Sequence, residues 1–474
     1  MGSDRSSSFR HIPSVERLLA DPEVGRATES YPRPVVVEAV RAVLDRTREA
    51  LRGGGGPSEG DLREPATYVP ALVAESERLL RPSLRRVINA TGIVIHTNLG
   101  RSPLPAGAFD RARDLALRYT NLEFDLETGA RGSRHVHAEG LLRRLTGAEA
   151  ALVTNNNAAA VLVSLHALAK GREVIVSRGE LIEIGGSFRL PDIMAASGAK
   201  LVEVGTTNRT RAEDYRAAVT PETALLMKAH LSNFRLEGFT ENVTPAEMAG
   251  VGAEKGVPVL YDLGSGAFVK IGWKGEPTVM EELRSGVAVL TMSGDKLLGS
   301  VQAGIILGRK AELDRIRQCP MLRAVRVDKV TLALLEATLL AYLDPDRVEA
   351  NVPVLGLISR SLHDIQKDAE ALREAVLRLG GGRVEAEIVD GESEAGGGAI
   401  GQPPIPTRVV EMTVAAVSPD EMAARLRRND PPVIVRVKND RVLVDPRTLF
   451  PEEIPLVAEG IARAAGAEEE GDVQ

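Results

Sequence analysis

Short apolar runs rich in β-branched residues alternate with amphipathic stretches through the middle of this chain. Ala150–Thr154, Glu173–Ser177, Lys200–Val204, 224–229, 257–261 and 287–292 read as strands. Residues 158–169, 211–218, Pro245–Lys255 and 280–285 read as the helices between them. Most of these runs are apolar throughout rather than alternating, as strands buried on both faces are. The rhythm predicts an α/β fold with a mostly parallel sheet covered by helices, and residues 301–307 read as a returning antiparallel strand.

The flanks follow other patterns. Ser14 precedes a helical stretch as its N-cap, with Arg17 where a capping box would place Glu. Pro34 then opens a longer stretch that sets Val36, Val40, Val43 and Leu44 on one stripe. The glycine run 53–56, followed by Pro57 and Ser58, reads as a linker, and a further helix runs over 71–84. Beyond the sheet, residues 329–343 and 352–379 are helical in pattern, and the glycine-rich 380–382 and 391–401 read as mobile loops. A strand at 408–415, a helix at 418–428 and a hairpin at 433–444 turning at Asn439 and Asp440 complete a small α+β unit. Three parts are expected: a small helical N-terminal domain (1–70), a large α/β domain (71–330), and a linker helix with a C-terminal α+β domain (331–474).

Composition narrows the classes of function. With 474 residues, 43% hydrophobic and 26% charged, the chain is long enough for a large core. Aromatics at 3% argue against base-stacking platforms, and a net charge of −7 gives no global basic field for nucleic acid. Any such binding rests on local arginines, for which Arg78, Arg81, Arg85 and Arg86 are candidates. Cys319 is the one cysteine, which excludes an intrachain disulfide and a multi-cysteine metal site; no metal is expected. No stretch approaches a membrane span and no apolar targeting segment opens the chain, so a cytoplasmic protein without a membrane partner is expected.

The strand at 287–292 breaks into Ser293-Gly294-Asp295-Lys296, and the strand at 257–261 runs into Asp262-Leu263-Gly264-Ser265-Gly266. A lysine lifted from the end of a buried strand, beside an aspartate on another strand, is how many pyridoxal-phosphate (PLP) enzymes hold their cofactor. The lysine carries the aldehyde as a Schiff base, and the aspartate keeps the pyridine nitrogen protonated. Taken alone, the two segments read equally as a lysine after a strand and an ordinary Asp-x-Gly turn. Thr154-Asn155-Asn156-Asn157 sits at a strand-to-helix junction, where free backbone N–H groups favour a phosphate. Other polar residues also follow strands, among them Glu180, His230, Ser232 and Arg235; His230 and Ser265 join the candidate cofactor contacts. Arg101, Arg131, Arg134, Arg323 and Arg326 are of the type that binds oxyanions, and Arg323 and Arg326 share a face if their segment is helical.

These residues, with RRVINATGIVIHTNLGRSPL (85–104), ETGARGSRH (127–135), VTNNNAAAVLV (153–163), SGDKLLG (293–299), MLRAVRVDK (321–329) and VLVDPRTL (442–449), closely resemble the bacterial selenocysteine synthases, the L-seryl-tRNA(Sec) selenium transferases. The resemblance spans nearly the whole chain. It implies a type I aminotransferase-like PLP fold, a homo-oligomeric ring of dimers that is a decamer in the family, and an N-terminal domain that grips tRNA. It also implies Lys296 as the Schiff-base lysine, Asp262 as the pyridinium partner and Asn155, Asn156 and Asn157 at the phosphate cradle. Arg101, Arg323 and Arg326 would hold the oxyanion of the selenium donor, selenophosphate, and Asp295 would position the seryl group or serve only its turn. The implied reaction is β-elimination of the hydroxyl from seryl-tRNA(Sec) to an aminoacrylyl intermediate, followed by addition of selenium. Arg436 stands where related folds hold a substrate carboxylate; that carboxyl is an ester here, so Arg436 is expected to be structural or tRNA-facing. Two rival readings are a small-molecule PLP lyase, for which residues 11–70 have no obvious use, and a tRNA-binding scaffold with a dead site, against which the intact Asp262 and Lys296 argue.

Overall fold

The computed structural model describes residues 9–53, 55, 57–184, 188–230, 238–271, 276–396 and 404–466. The chain divides into two compact units, Met1–Arg86 and Val87–Gln474. The first is helical. Ser14 caps Val15–Ala20 by accepting from Arg17 N at 3.2 Å, and the helix Arg33–Arg52 buries Val36, Val40, Val43 and Leu44 as its stripe requires. The helix Val69–Leu80 closes the same core through Leu72, alongside Leu18 and Tyr68. The break therefore falls after Arg86 rather than near residue 70. Glu75 on that last helix is buried with Arg46 at 2.9 Å and Arg78 at 2.7 Å, so Arg78 is committed within its own unit.

The second unit is built on a seven-stranded sheet. Its members are β1 (Ala150–Thr154), β2 (Glu173–Ser177), β3 (Lys200–Val204), β4 (Thr223–Ala229), β5 (Val259–Gly264), β6 (Val289–Ser293) and β7 (Gly304–Gly308), in the order β1-β7-β6-β5-β4-β2-β3. β7 is antiparallel to both β6 and β1, and the other neighbours are parallel. Side chains alternate between two cores: Ala151, Val153, Tyr261, Leu290 and Met292 enter one, while Ala150, Leu152, Leu260, Val289 and Ile306 enter the other. Both faces are buried except at the edge strand β3, whose residues are mostly exposed or half-buried, and that is why the other strands are largely apolar without alternation.

A second layer holds the C-terminal part. Arg436–Lys438, Arg441–Val444, Ile405–Val414, Val384–Gly396 and Ile93–Ile95 form a five-stranded sheet in that order. Its core is shared with Leu362–Leu379 and Glu453–Ala464 through Leu372, Val376, Val457 and Ile461. Two expectations change here. Residues 88–95 supply strands to this layer, Ile88–Asn89 pairing with Val433–Ile434, so 71–330 and 331–474 are not separable units. Residues 391–396 belong to a strand rather than a mobile loop, since a Cβ on Gly391 would lie 2.5 Å from Val409 Cγ2; residues 397–403 lie outside the described residues. The hairpin turns at Asn439 and Asp440, both at positive φ (52° and 59°), as a two-residue turn of the primed kind requires. No helix among the described residues is long and apolar enough to cross a membrane.

Candidate functional site

β5 and β6 are parallel neighbours with Asp262 opposite Thr291. Asp262 is buried, and its Oδ1 accepts from Asn157 Nδ2 at 2.8 Å and from Thr291 Oγ1 at 3.0 Å. Burial pushes this carboxyl up, and the two hydrogen bonds and Lys296 pull it back. Both hydrogen bonds fall on Oδ1, and Oδ2 has no hydrogen-bond partner among the described residues. Lys296 lies in the turn after β6 and is 6% exposed. Burial pulls its ammonium down from the ordinary range, against the opposing pull of Asp262.

The turn carrying that lysine is fixed from several sides. Ser102 Oγ donates to Lys296 O at 2.6 Å, Leu297 N to Ser265 O at 3.1 Å, and Gly294 N to Ala303 O at 2.8 Å. Gly264 adopts φ +71°, and a Cβ there would stand 3.7 Å from Lys296 Nζ, so glycine keeps the space beside the amine open.

The three asparagines after β1 serve three ends. Asn155 N donates to Val325 O at 2.9 Å; Asn156 caps the helix Asn157–Ala169 by accepting from Ala159 N at 2.8 Å; Asn157 reaches Asp262. The carboxamides of Asn156 and Asn157 thus hold protein groups, and what this junction offers an anion is the positive end of a helix with first-turn N–H groups that lack intrahelical partners. Asn157 Oδ1 and Ser265 Oγ are buried and have no hydrogen-bond partner among the described residues.

His230 follows β4. Its backbone N donates to Asp262 O at 2.9 Å, and its Nδ1 lies 3.5 Å from Tyr261 Oη. Burial, with Lys228 and Lys296 adding to it, brings the imidazole down to about 4, so it is neutral at physiological pH. Lys228, the other buried lysine here, is paired with Glu180 at 2.7 Å, and Ala229 N donates to the same carboxylate at 2.9 Å. Ser232 and Arg235 lie outside the described residues.

The arginines divide. Arg101, at φ +64°, places Nη1 2.9 Å and 2.8 Å from the two oxygens of Asp295, the neighbour of Lys296. Arg323 and Arg326 line a different cavity of about 360 Å³, bounded by Glu123, Arg131, Arg134, His135, Arg317 and Cys319 among others. They do not share a helix face. The helix Met321–Ala324 ends before Arg326, which bridges to Thr154 at the end of β1. Reasoning from sequence missed Glu123, His135 and Arg317. Glu123 joins Arg134 at 2.6 Å and Arg131 at 3.3 Å, and its carboxyl is held low chiefly by the Arg134 hydrogen bonds. The signal for His135 was its place at the end of ETGARGSRH. Arg436 is structural: it contacts Asp445 at 3.4 Å, and the fully buried Asp445 also accepts from Ser393 Oγ at 2.7 Å and Thr407 Oγ1 at 2.9 Å.

A lysine past β6, a buried aspartate on β5 with one oxygen free, orphaned polar atoms at Ser265 and Asn157 and a helix N-terminus after β1 fit PLP in kind and placement. With the sheet order, they define the class: an α/β enzyme of the PLP-dependent fold type I. Residues 87–450 match the sequence model of a family described as L-seryl-tRNA selenium transferase, and residues 9–48 match one described as selenocysteine synthase N terminal. An L-seryl-tRNA(Sec) selenium transferase of Geobacter sulfurreducens is 51% identical over 460 residues, covering 96% of this chain and 99% of that protein. One of Solidesulfovibrio magneticus is 49% identical over 472 residues, covering 97% and 99%. Among solved structures, a D-glucosaminate-6-phosphate ammonia-lyase superposes with a TM-score of 0.59 at 19% identity, over 82% of this chain and 98% of that one, a likeness of fold. The chain belongs to the L-seryl-tRNA selenium transferase family.

Proposed function

We propose that this protein is a PLP-dependent enzyme that converts the serine of seryl-tRNA(Sec) to selenocysteine, with selenophosphate as the selenium donor. The observation that carries this reading is the buried pair Lys296 and Asp262 at the ends of adjacent strands, in a chain about half identical to transferases of that name. PLP, when bound, supplies an electron sink for the carbon that bears the amino group. Lys296 is the residue that holds it, and Lys296 Nζ, its proton loosened by burial, is the base for the seryl Cα proton. Asp262, its carboxylate fixed by Asn157 and Thr291, would keep the ring nitrogen protonated. The helix start at Asn157 takes the cofactor phosphate, and Ser265 and His230 would add further contacts.

Removal of the β-hydroxyl opens Cβ to selenium. Asp295, held by Arg101, stands beside the lysine to orient the seryl ester. Arg323 and Arg326 hold the donor's oxyanion by charge-assisted hydrogen bonds. Residues 1–86 grip the tRNA, and the assembly is a ring of dimers, ten chains in all, in the cytoplasm.

The purified full chain should show the visible band of lysine-bound PLP, which seryl-tRNA(Sec) shifts; Lys296→Ala should lose the band on dialysis. Removing residues 1–86 should abolish tRNA binding in a gel-shift assay and leave the band intact. A truncated protein that bound tRNA with full affinity would return the N-terminal unit to a structural role and favour a small-molecule lyase.

A further inference from the structure

His135 lines the arginine-rich cavity, and its Nδ1 has no hydrogen-bond partner among the described residues. Five guanidiniums, from Arg131, Arg134, Arg317, Arg323 and Arg326, line that space. Glu123 ties Arg134 and Arg131 and stands 4.0 Å from Arg326, while Glu139 ties Arg317 at 2.9 Å. The side chain of Arg323 has no hydrogen-bond or ion-pair partner among the described residues. Positive charge exceeds negative, which suits an anion.

The guanidiniums only donate hydrogen bonds, and the carboxylate of Glu123, the acidic member of the lining, is taken up by Arg134 and Arg131. His135 differs. It is 9% exposed, and its Nδ1 is buried without a partner among the described residues. Burial first, then Arg317 and Arg134 against the opposing pull of Glu139 and Glu123, lowers the ring to about 4. The imidazole is therefore neutral near pH 7, with one nitrogen bearing hydrogen and the other a bare acceptor.

We propose that His135 makes this cavity select oxyanions that carry a proton, phosphate-type over sulfate-type. A phosphate or selenophosphate anion that keeps one P–OH near neutral pH offers that hydrogen to the free imidazole nitrogen while its other oxygens accept from Arg323 and Arg326. Sulfate has no hydrogen to give and leaves the acceptor facing a lone pair. The proposal rests on the reading of this cavity as the donor's oxyanion site and adds to it the residue that recognises the anion's class.

Cys319, half-buried on the same wall, is the chain's one cysteine and reports occupancy through its rate of modification by a thiol reagent. In the full chain, inorganic phosphate should protect Cys319 at roughly tenfold lower concentration than inorganic sulfate, the worth of one hydrogen bond. His135→Ala should bring the two anions level, and His135→Gln, whose amide oxygen accepts, should keep the preference. Equal protection by both anions in the unmodified protein overturns the proposal, as does a preference that survives His135→Ala. Protection by neither anion removes the oxyanion site itself, a different failure from loss of the preference alone.

Discussion

At the ends of β5 and β6 the charges are matched inside the chain. Asp262 is held by Asn157 and Thr291, Lys296 faces Asp262, Asp295 is held by Arg101, and Lys228 is paired with Glu180. In the cavity lined by 131–135 and 317–326 they are not. Two glutamates serve four of the five arginines, Arg323 has no partner among the described residues, and a neutral histidine lines the same space. The first region is set up to move a proton, because paired and buried groups have shifted proton affinities and fixed positions. The second has the excess of positive charge that the proposed anion would complete. A mutation in the first should impair the chemistry; a mutation in the second should impair capture of one reactant.

Substitution at Lys296 should have the largest effect. Lys296→Ala removes the proposed cofactor attachment and base together, so turnover should fall by at least about a thousandfold with loss of the visible band, read by spectrum and single-turnover rate. Next comes Asp262→Asn, which leaves Oδ1 its partners but removes the charge proposed to act on the ring nitrogen. Cofactor content should persist while Cα deprotonation slows on the order of a hundredfold, followed by exchange of the seryl Cα hydrogen with solvent. An unchanged exchange rate would assign that role to another group.

Arg323→Ala should leave both of those quantities alone. The donor's apparent KM should rise roughly ten- to a hundredfold, the worth of one or two charge-assisted hydrogen bonds, and Arg323→Lys should restore only part of it. If the variant instead weakened tRNA binding with a shallower salt dependence, the cavity would be a phosphate-backbone contact. The smallest effect concerns pH. His135 and His230 both titrate near 4 in the folded chain and near 6.5 when unfolded. Between those values the unfolded chain binds more protons, so their contribution to stability is whole above about pH 6.5 and is lost as pH falls towards 4. Thermal midpoints should decline over that window, and less steeply in His230→Asn; an identical slope would mean that His230 is charged in the fold.

The sheet was legible because its strands are apolar on both faces, so their periodicity and the intervening helices leave little choice of architecture. Lys296 and Asp262 were legible for a related reason: a charged residue at the edge of an unbroken apolar run stands out. The misassignments share one cause, contacts between residues far apart in sequence. Nothing local reveals that residues 88–95 join strands near 394 and 433, or that the glycine at 391 faces Val409 rather than loosening a loop. Arg101 and Arg323 look alike in sequence, and only the fold gives the first to Asp295 and leaves the second without a partner among the described residues. His135 had no periodicity to mark it, since its meaning lies in the arginines brought around it by the segment after β7.

The proposed attachment of the cofactor to Lys296, and not to Lys228, the other buried lysine among the described residues, can be read directly. Borohydride reduction of the purified holoprotein, followed by digestion and peptide mapping, fixes the cofactor to whichever lysine holds it. The label should be found on the peptide containing Lys296, whose amine has open space beside Gly264, and not on that containing Lys228, which is committed to Glu180. Label on Lys228, or no label on any lysine, would contradict the account.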